Sequence, residues 1–200
     1  MEYHHFFFLK KNNFVRCYDD YKIKHKALEK NLIKKDKLYK TNFDFIIISP
    51  GINIQKCGLK IFLSKHKKKV ITDLDIFFLQ NKENFTITVT GTNGKSTTAK
   101  LLYLILKKVF KDVRLCGNIG NPILNERKIS NNTIFVIEAS SYQLEYSNYF
   151  CSKYFVVLNI TPDHLERHVS ISRYARAKFS LVRRQSTKDL TFINYKIFGL

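Results

Sequence analysis

The sequence lacks the features of proteins held together by disulfides or zinc, of membrane-spanning proteins and of secreted proteins. Its four cysteines are widely spaced and form no C-x-x-C pair, so neither a disulfide framework nor a zinc site is indicated. No apolar run approaches the ~18 residues of a membrane-spanning helix. The start of the chain has only a short apolar stretch, preceded by histidine where a signal peptide carries positive charge. We therefore expect a soluble, cytoplasmic protein with no membrane span and reduced, mostly buried thiols.

Acidic residues are also scarce. The chain has 16 Asp and Glu against 35 Lys and Arg, a formal net charge of +19. Such an excess can mark a nucleic-acid partner. Here the excess of basic residues is spread evenly along the chain. Residues 1–82 contain 18 basic and 8 acidic residues, and residues 83–200 contain 17 basic and 8 acidic residues. Abundant Lys, Ile and Phe with little Ala is a bias typical of AT-rich genomes. We expect no nucleic-acid partner, and a basic protein that binds nucleic acid stays open as an alternative.

Apolar runs and helical patterns alternate along the whole chain, with no repeats and no low-complexity linker. Runs that predict strands lie at 14–18, 43–48, 69–71, 85–90, 112–116, 133–137, 153–160 and 190–193. Helices are predicted to start near Thr72, at Lys95, and after Ser170 or Ser172. The lysine cluster 65–69 reads as a solvated loop. This alternation predicts an α/β fold with a parallel sheet, and we place two domains at 1–82 and 83–200.

The segment TVTGTNGKSTTAK (88–100) is the strongest motif. Gly91 and Gly94 separate a β-branched run from a helix that begins near Lys95 and carries Leu101, Leu102, Ile105 and Val109 at helical spacing. Backbone N–H groups at such a turn bind phosphate, the lysine adds a charge, and the next hydroxyl can ligate magnesium. The first glycine stands two positions later than in G-x-x-x-x-G-K-[ST]. An ordinary tight strand-to-helix turn therefore stays open as an alternative.

Polar side chains follow the predicted strands at their carboxyl ends. Glu138 ends one strand, and Asn118 and His164 follow two others. Open parallel sheets bind ligands at this edge, and a carboxylate and an imidazole beside a phosphate loop suit magnesium and substrate. Each of these residues could also have a purely structural role. Glu138 could be a surface residue, His164 and His168 helix-capping or packing residues, and Asn118 a turn residue with positive φ.

Five segments resemble the Mur ligases in order and spacing. They are GTNGKSTT (91–98), GNIG (117–120), EASSYQLE (138–145), LNITPDHLERH (158–168) and YARAKFSL (174–181). The SSxQL segment beside NIG is most similar to the D-glutamate-adding branch and separates it from the sister ligases and from folylpolyglutamate synthase. ISPGI (48–52) and TDLDIF (72–77) resemble the end of the uridine-binding domain. The resemblance implies a partial Rossmann-like UDP-substrate domain, followed by the first part of a P-loop-type central ATPase domain.

The resemblance further implies an ATP-dependent amide ligase of peptidoglycan synthesis. Such enzymes phosphorylate the terminal carboxylate of UDP-N-acetylmuramoyl-L-alanine to an acyl phosphate, which the amine of D-glutamate then attacks. ATP and two Mg²⁺ ions are the implied cofactors. The two substrates are the implied partners.

The resemblance also implies roles for individual residues. The catalytic set is Lys95, Glu138, His164 and Lys178. The ATP loop is Gly91, Thr92, Asn93, Gly94, Lys95, Ser96 and Thr97. The metal ligands are Ser96, Glu138, His164 and Lys178. At the position of Lys178 the family carries a carbamylated (N-carboxylated) lysine. This modified side chain supplies an oxygen donor to a second magnesium. The muramoyl-alanine residues are Asn118, Ser140 and Gln143. The uridine-site residues are Asp19, Asp20, Ser49, Pro50 and Gly51.

The sequence departs from the family pattern at both ends. No strand with a glycine-rich turn precedes Phe6, and Leu200 falls before the rest of the central domain and the C-terminal domain. Closure of that last domain assembles the site and excludes water in such enzymes. We therefore expect an incomplete ligase with little or no turnover alone, for which a second chain that supplies the missing domain is a candidate partner. A non-catalytic nucleotide-binding module is the alternative.

Overall fold

The computed structural model describes residue 9, residues 13–20 and residues 26–197. The chain divides into two compact units, residues 1–70 and residues 71–200. The sequence predicts this boundary between residues 82 and 83 instead. The helix after Thr72 therefore belongs here to the second unit, together with the glycine loop.

The described part of the first unit contains short elements. They are α1 (Lys26–Glu29), α2 (Lys35–Lys40), β1 (Ile46–Ile47), α3 (Lys60–Lys65) and a 3₁₀ helix at Lys67–Lys69, and β2 (Val70–Ile71) spans the boundary between the units. The strand predicted at 14–18 is wrong, because the structure has only an isolated bridge between Cys17 and Leu32. Phe14 is 81% exposed, so this run lacks the buried face that a strand needs. The strand predicted at 43–48 is shorter than expected, because Phe45 also remains exposed.

The lysine cluster 65–69 is helical, which corrects the predicted loop. It forms the last residue of α3 and the 3₁₀ helix that follows. Lys69 Nζ donates hydrogen bonds of 2.7 Å to Asn42 Oδ1 and to the carbonyl of Phe43. One end of the cluster is therefore fixed, while Lys67 and Lys68 are exposed to solvent.

The second unit contains a larger set of regular elements. In chain order they are α4 (Asp73–Gln80), β3 (Phe85–Thr90), α5 (Lys95–Leu106), β4 (Val113–Gly117), β5 (Ile134–Glu138), α6 (Ser141–Tyr146), β6 (Tyr154–Val157), α7 (Leu165–His168), α8 (Ile171–Lys178) and β7 (Leu190–Ile193). Short 3₁₀ helices lie at Ile123–Asn125, Phe179–Arg184 and Tyr195–Ile197. The predicted strands from residue 85 onward are confirmed to within a few residues. Ser170 caps α8, which settles the choice between the two serines.

The five strands of this unit form one parallel sheet in the order β4-β5-β3-β6-β7. The parallel α/β fold class is thereby confirmed. Val89 near the end of β3 lies opposite Glu138 of β5 and Val156 of β6. Because all strands run in the same direction, their carboxyl ends share one edge. The glycine loop after β3 therefore lies between the ends of β5 and β6.

Helix α5 covers one face of this sheet. Ala99 is fully buried and packs with Val89, Val113 and Val136 of three strands, and Leu102 and Leu106 add to this cluster. The helix was predicted correctly, but three of the four apolar residues that marked it face away from the core. Leu101, Ile105 and Val109 are 53–76% exposed. The helix carries two apolar stripes, and the one that contains the small Ala99 lets α5 approach the sheet closely.

The cysteines and the lengths of the helices test two expectations from the composition. All four cysteines are free, as expected, but only Cys116 is buried and the other three are half-buried. In the described part of the chain, no helix has both the length and the apolar character needed to cross a membrane.

A buried carboxylate joins α4 to the segment 147–150. Asp75 has no exposed surface. Its oxygens accept hydrogen bonds from Ser147 Oγ (2.7 Å) and from the N–H groups of residues 148, 149 and 150 (shortest distances 3.1, 2.7 and 2.8 Å). The N–H of Thr72 donates from the start of the helix at 2.9 Å. A charge can be buried only with such a complete set of donors, so this contact fixes the end of the loop before β6.

Candidate active site

Two glycines shape the loop between β3 and α5. Gly91 has φ +156° and Gly94 has φ +80°, values that other residues adopt only with strain. A Cβ at Gly91 would lie 3.1 Å from Leu158 Cβ, so the loop also runs close to the end of β6. Gly94 occupies the N-cap position and Lys95 begins the helix. The loop therefore brings the N-terminus of a twelve-residue helix, with its partial positive charge, to the carboxyl edge of the sheet.

Lys95 lies over its own loop. Its Nζ donates a 2.7 Å hydrogen bond to the carbonyl of Thr92, and the side chain is half-buried. Ser96 and Thr97 in the first helical turn are exposed. The amine of Lys95, the hydroxyl residues Ser96 and Thr97 and the first N–H groups of α5 thus lie together at the N-terminal end of one helix. This is the donor set that an anion such as a phosphate requires.

Glu138 is buried at the end of β5, with 1% of its surface exposed. The surface reading of this residue is therefore wrong. Asn118 Nδ2 donates to Glu138 Oε1 at 2.9 Å, whereas Glu138 Oε2 is buried with no hydrogen-bond partner. The explanation of Asn118 as a turn residue with positive φ is also wrong. The residues with positive φ in this turn are Gly117 and Gly120. A buried carboxylate oxygen without a donor is costly, and a cation would satisfy it.

Lys178 is buried at the end of α8, with 1% of its surface exposed. Its Nζ donates a 2.7 Å hydrogen bond to the carbonyl of Gly91 in the glycine loop. Burial, reinforced by the charge of Lys95, lowers the pKa of Lys178 to about 7, although Glu138 and Asp163 oppose the shift. A large share of this amine is therefore neutral near pH 7. The neutral form is the one that reacts with carbon dioxide, so the site suits a carbamylated lysine.

The two histidines of DHLERH lie in different surroundings. His164 has φ +51° at the start of α7 and makes no capping hydrogen bond through its side chain, which is 44% exposed. Its ring nitrogens lie 3.5 Å from Asp163 and 3.7 Å from Glu166. His168 is buried, with Nε2 3.1 Å from Ser141 Oγ. The packing reading is therefore correct for His168, while the ring of His164 is accessible to a ligand.

Acid should destabilise the protein through His168. Burial, with the nearby charge of Arg167, lowers the pKa of His168 to about 4 from its ordinary 6.5. Between these values the unfolded chain binds more protons than the folded one, so stability falls as the pH falls from 6.5 toward 4. The full loss is roughly 3 kcal/mol. Urea unfolding at several pH values should show this slope, and His168→Gln should flatten it. An equal slope in both proteins would contradict the assignment.

Ser140 and Gln143 form the start of α6. Ser140 Oγ accepts the N–H of Gln143 at 3.2 Å, and Gln143 Oε1 accepts the N–H of Ser140 at 3.2 Å. The other end of the glutamine amide donates to Asp73 Oδ2 at 3.1 Å. This capping box holds α6 just beyond the end of β5. The role of both residues toward substrate stays a prediction.

The predicted uridine residues lie in the first unit. Asp20 Oδ1 accepts a hydrogen bond from the hydroxyl of Tyr18 at 2.9 Å. Ser49 begins a turn, because its carbonyl accepts the N–H of Ile52 at 3.0 Å. The role of these residues and of Asp19, Pro50 and Gly51 likewise stays a prediction.

Residues outside the predicted set also contact the glycine loop, and Asn159 and Tyr174 are two of them. Asn159, two residues after the end of β6, binds the backbone of the loop. Tyr174 on α8 is buried, with its hydroxyl 3.2 Å from Thr92 Oγ1 and its ring 4.6 Å from Lys178 Nζ. Both positions could have been found from the sequence. Asn159 is the first polar residue after an apolar strand, and Tyr174 lies one helical turn before Lys178.

The residues present fit a magnesium ion that is shared with a nucleotide. Within the described part of the chain, no group of three or more His, Cys, Asp or Glu side chains could hold a metal ion by itself. Mg²⁺ commonly takes one or two protein carboxylates and completes its shell with water and substrate phosphates. The unsatisfied oxygen of Glu138, beside a loop suited to phosphate, meets that requirement.

Comparison with known proteins gives a family match. The family model described as the Mur ligase middle domain matches residues 89–197. A curated relative, the UDP-N-acetylmuramoylalanine--D-glutamate ligase of Caldicellulosiruptor bescii, is 38% identical over 202 residues, which cover 94% of this chain and 44% of the relative. The protein of the same name from Rickettsia bellii is 36% identical over 185 residues, or 90% of this chain and 40% of the relative. The chain thus spans less than half the length of these relatives.

Solved structures support the fold. The crystal structure of UDP-N-acetylmuramate:L-alanyl-gamma-D-glutamyl-meso-diaminopimelate ligase (MPL) from Neisseria meningitides matches with a TM-score of 0.51. The match covers 90% of this chain and 63% of that chain at 17% sequence identity. At this identity the likeness concerns the fold alone.

Proposed function

The chain belongs to the Mur ligase family, and we propose that it serves the ATP-dependent addition of D-glutamate to UDP-N-acetylmuramoyl-L-alanine. The names of its curated relatives support this substrate pair. The observation that supports the chemistry most is the placement of three features at one edge of the sheet. These are the glycine loop, the buried carboxylate of Glu138 and the buried amine of Lys178.

ATP binds with its phosphates at the loop Gly91–Thr97. Lys95 Nζ exchanges the carbonyl of Thr92 for a phosphate oxygen, and the N–H groups in the first turn of α5 donate to the same phosphates. These groups hold the terminal phosphate and offset its negative charge while the substrate carboxylate approaches. The loop thus supplies both orientation and charge stabilisation.

Magnesium accompanies the nucleotide. Glu138 and Ser96 are the residues that would hold one ion, and His164 with a carbamylated Lys178 would hold a second. When bound, Mg²⁺ stabilises negative charge on the phosphate oxygens. Asn118 orients Glu138 through its 2.9 Å hydrogen bond, which leaves Oε2 as the free ligand atom.

The reaction itself has two steps. An oxygen of the alanyl carboxylate attacks the terminal phosphorus of ATP, ADP leaves, and an acyl phosphate forms. The amine of D-glutamate then attacks the acyl carbon, phosphate leaves, and the amine loses a proton as the amide forms. Asn118, Ser140 and Gln143 at the carboxyl edge hold the muramoyl-alanine part. The uridine group is bound by residues of the first unit.

The proposal is tested first by nucleotide binding. Titration of the purified, folded chain with ATP should show binding that is strengthened by Mg²⁺. Glu138→Gln should remove the magnesium effect and retain the magnesium-free affinity, because it replaces a metal-binding oxygen and leaves the loop intact. Glu83→Gln is the matched control, since Glu83 is exposed at the other end of β3. A folded chain that binds no ATP would contradict the proposal.

A second assay separates a ligase from a binding module. Amide formation from UDP-N-acetylmuramoyl-L-alanine and D-glutamate is followed by product mass and by phosphate release, with L-glutamate as the specificity control. It is run on the chain alone and with a second chain that carries the remainder of a Mur ligase. Product that requires ATP and D-glutamate supports the ligase. ATP binding without product in both cases would favour a non-catalytic nucleotide-binding module.

A further inference from the structure

Asn159 joins the end of β6 to the glycine loop through four hydrogen bonds. Its Oδ1 accepts the N–H groups of Thr92 (3.1 Å) and Asn93 (2.9 Å). Its Nδ2 donates to the carbonyl of Asn93 at 3.0 Å. Its backbone carbonyl also accepts the N–H of Thr92 at 3.0 Å. One side chain therefore satisfies backbone groups on two consecutive loop residues.

We propose that Asn159 is a positioning residue of the nucleotide site, an inference that rests on the proposed function. It fixes the first half of the loop, Thr92 and Asn93, against β6. The second half, Gly94–Thr97, then presents its N–H groups to the phosphates. Asn159 itself does not touch the nucleotide and acts through the loop.

Conformational entropy gives the reason for such a clamp. A loop with two glycines has many accessible conformations when it is free, and fixing the backbone of one residue costs about 1–2 kcal/mol. The hydrogen bonds between Asn159 and the loop are already formed in the nucleotide-free protein. They therefore remove this entropy cost from the binding step. An amide side chain suits these contacts, because its oxygen can accept two N–H groups while its nitrogen donates to a carbonyl. It is also neutral, so it does not repel the phosphates.

The sheet does not need this side chain for its own pairing. Strand β6 already pairs with β3 through the backbone, up to the hydrogen bond from the N–H of Leu158 to the carbonyl of Thr90 at 3.0 Å. Thr92 Oγ1 accepts a further bond from the N–H of Thr161 at 3.0 Å. Loss of the Asn159 side chain should therefore loosen the loop and leave the strands paired.

The test uses Asn159→Ala, which removes the side-chain bonds, and Asn159→Asp, which keeps the acceptors and adds a negative charge. Asn194→Ala is the matched control, because Asn194 directly follows the neighbouring strand β7. We expect Asn159→Ala to weaken Mg²⁺-ADP binding about 10-fold, which corresponds to about 1.4 kcal/mol. Asn159→Asp should weaken it further, by an amount that shrinks with added salt. Asn194→Ala should bind like the wild type.

Hydrogen exchange in the nucleotide-free chain supplies an independent readout. In Asn159→Ala, the amide of Asn93 should exchange at least 10-fold faster, because its acceptor is the Asn159 side chain. The amide of Thr92 should change less, because it keeps its bond to the backbone carbonyl of residue 159, and the amides of residues 86–90 should keep their rates. Unchanged loop exchange, or ADP affinity within two-fold of the wild type, would overturn the inference. If the wild type binds no nucleotide, the proposed function fails, and the exchange rates still decide whether Asn159 holds the loop.

Discussion

Lys95→Ala should weaken ATP and ADP binding by roughly 10- to 100-fold, since a hydrogen bond to a charged group contributes about 1.5–3 kcal/mol. The side chain reaches over the loop to the carbonyl of Thr92 at 2.7 Å, where it is positioned to meet a phosphate. No other side chain in the loop Gly91–Thr97 is cationic. The measurement is equilibrium titration with each nucleotide in the presence of Mg²⁺.

The effect should be specific to this lysine. Lys100→Ala is the matched control, because Lys100 is exposed on the same helix and its removal changes the net charge equally. The melting temperatures of both variants should stay close to that of the wild type. If Lys100→Ala weakened binding as much as Lys95→Ala, general charge attraction would account for the effect, and the phosphate contact would be refuted.

The largest loss of stability is expected for Asp75→Ala. The substitution removes the acceptor of three buried donors, namely Ser147 Oγ and the N–H groups of Thr72 and Phe150. It also removes the acceptor of two partly buried donors, the N–H groups of residues 148 and 149. Each buried, unsatisfied donor costs about 1–3 kcal/mol, so the total should reach about 4 kcal/mol or more. Such a loss is a large part of the roughly 5–15 kcal/mol by which native proteins are stable. Urea unfolding followed by circular dichroism should show a midpoint far below that of the wild type.

Two further variants make this result interpretable. Asp75→Asn keeps one acceptor oxygen and should lose less stability than the alanine variant. Asp44→Ala removes an exposed carboxylate of the first unit and should change the free energy of unfolding by about 0.5 kcal/mol or less. If Asp75→Ala unfolded at the same urea concentration as Asp44→Ala, the carboxylate would not hold the fold together.

The central strands could be predicted from the sequence because their signal is local. The runs that form β3 and β5 are short, continuous and rich in β-branched residues, which is typical of strands buried on both faces. The first unit shows the opposite case. Its apolar runs reflect a chain rich in Phe and Ile, and at Phe14 and Phe45 the side chains stay exposed. Composition alone produced the apolar pattern there, and a pattern of this origin does not show which side chains become buried.

The candidate site was predictable to a similar degree. The glycine loop and the strand ends place Lys95 and Glu138 at one edge by simple topology. The buried, unpaired oxygen of Glu138 depends on how β4 and β5 pack, which no local pattern encodes. Asp75 is the clearest example, because TDLD reads as an ordinary helix start. Apart from Thr72, its partners lie 72 to 75 residues further along the chain.

That separation sets an order of events during synthesis. Ribosomes add about 5–20 residues per second, so roughly 4–15 s pass between the translation of Asp75 and that of its partners. Until then the carboxylate must stay in water, and α4 cannot dock. Leu74 and Phe77, both buried in the finished protein, remain uncovered during this interval. The nascent chain therefore presents an apolar helix that a chaperone at the ribosome could bind, and the second unit closes late.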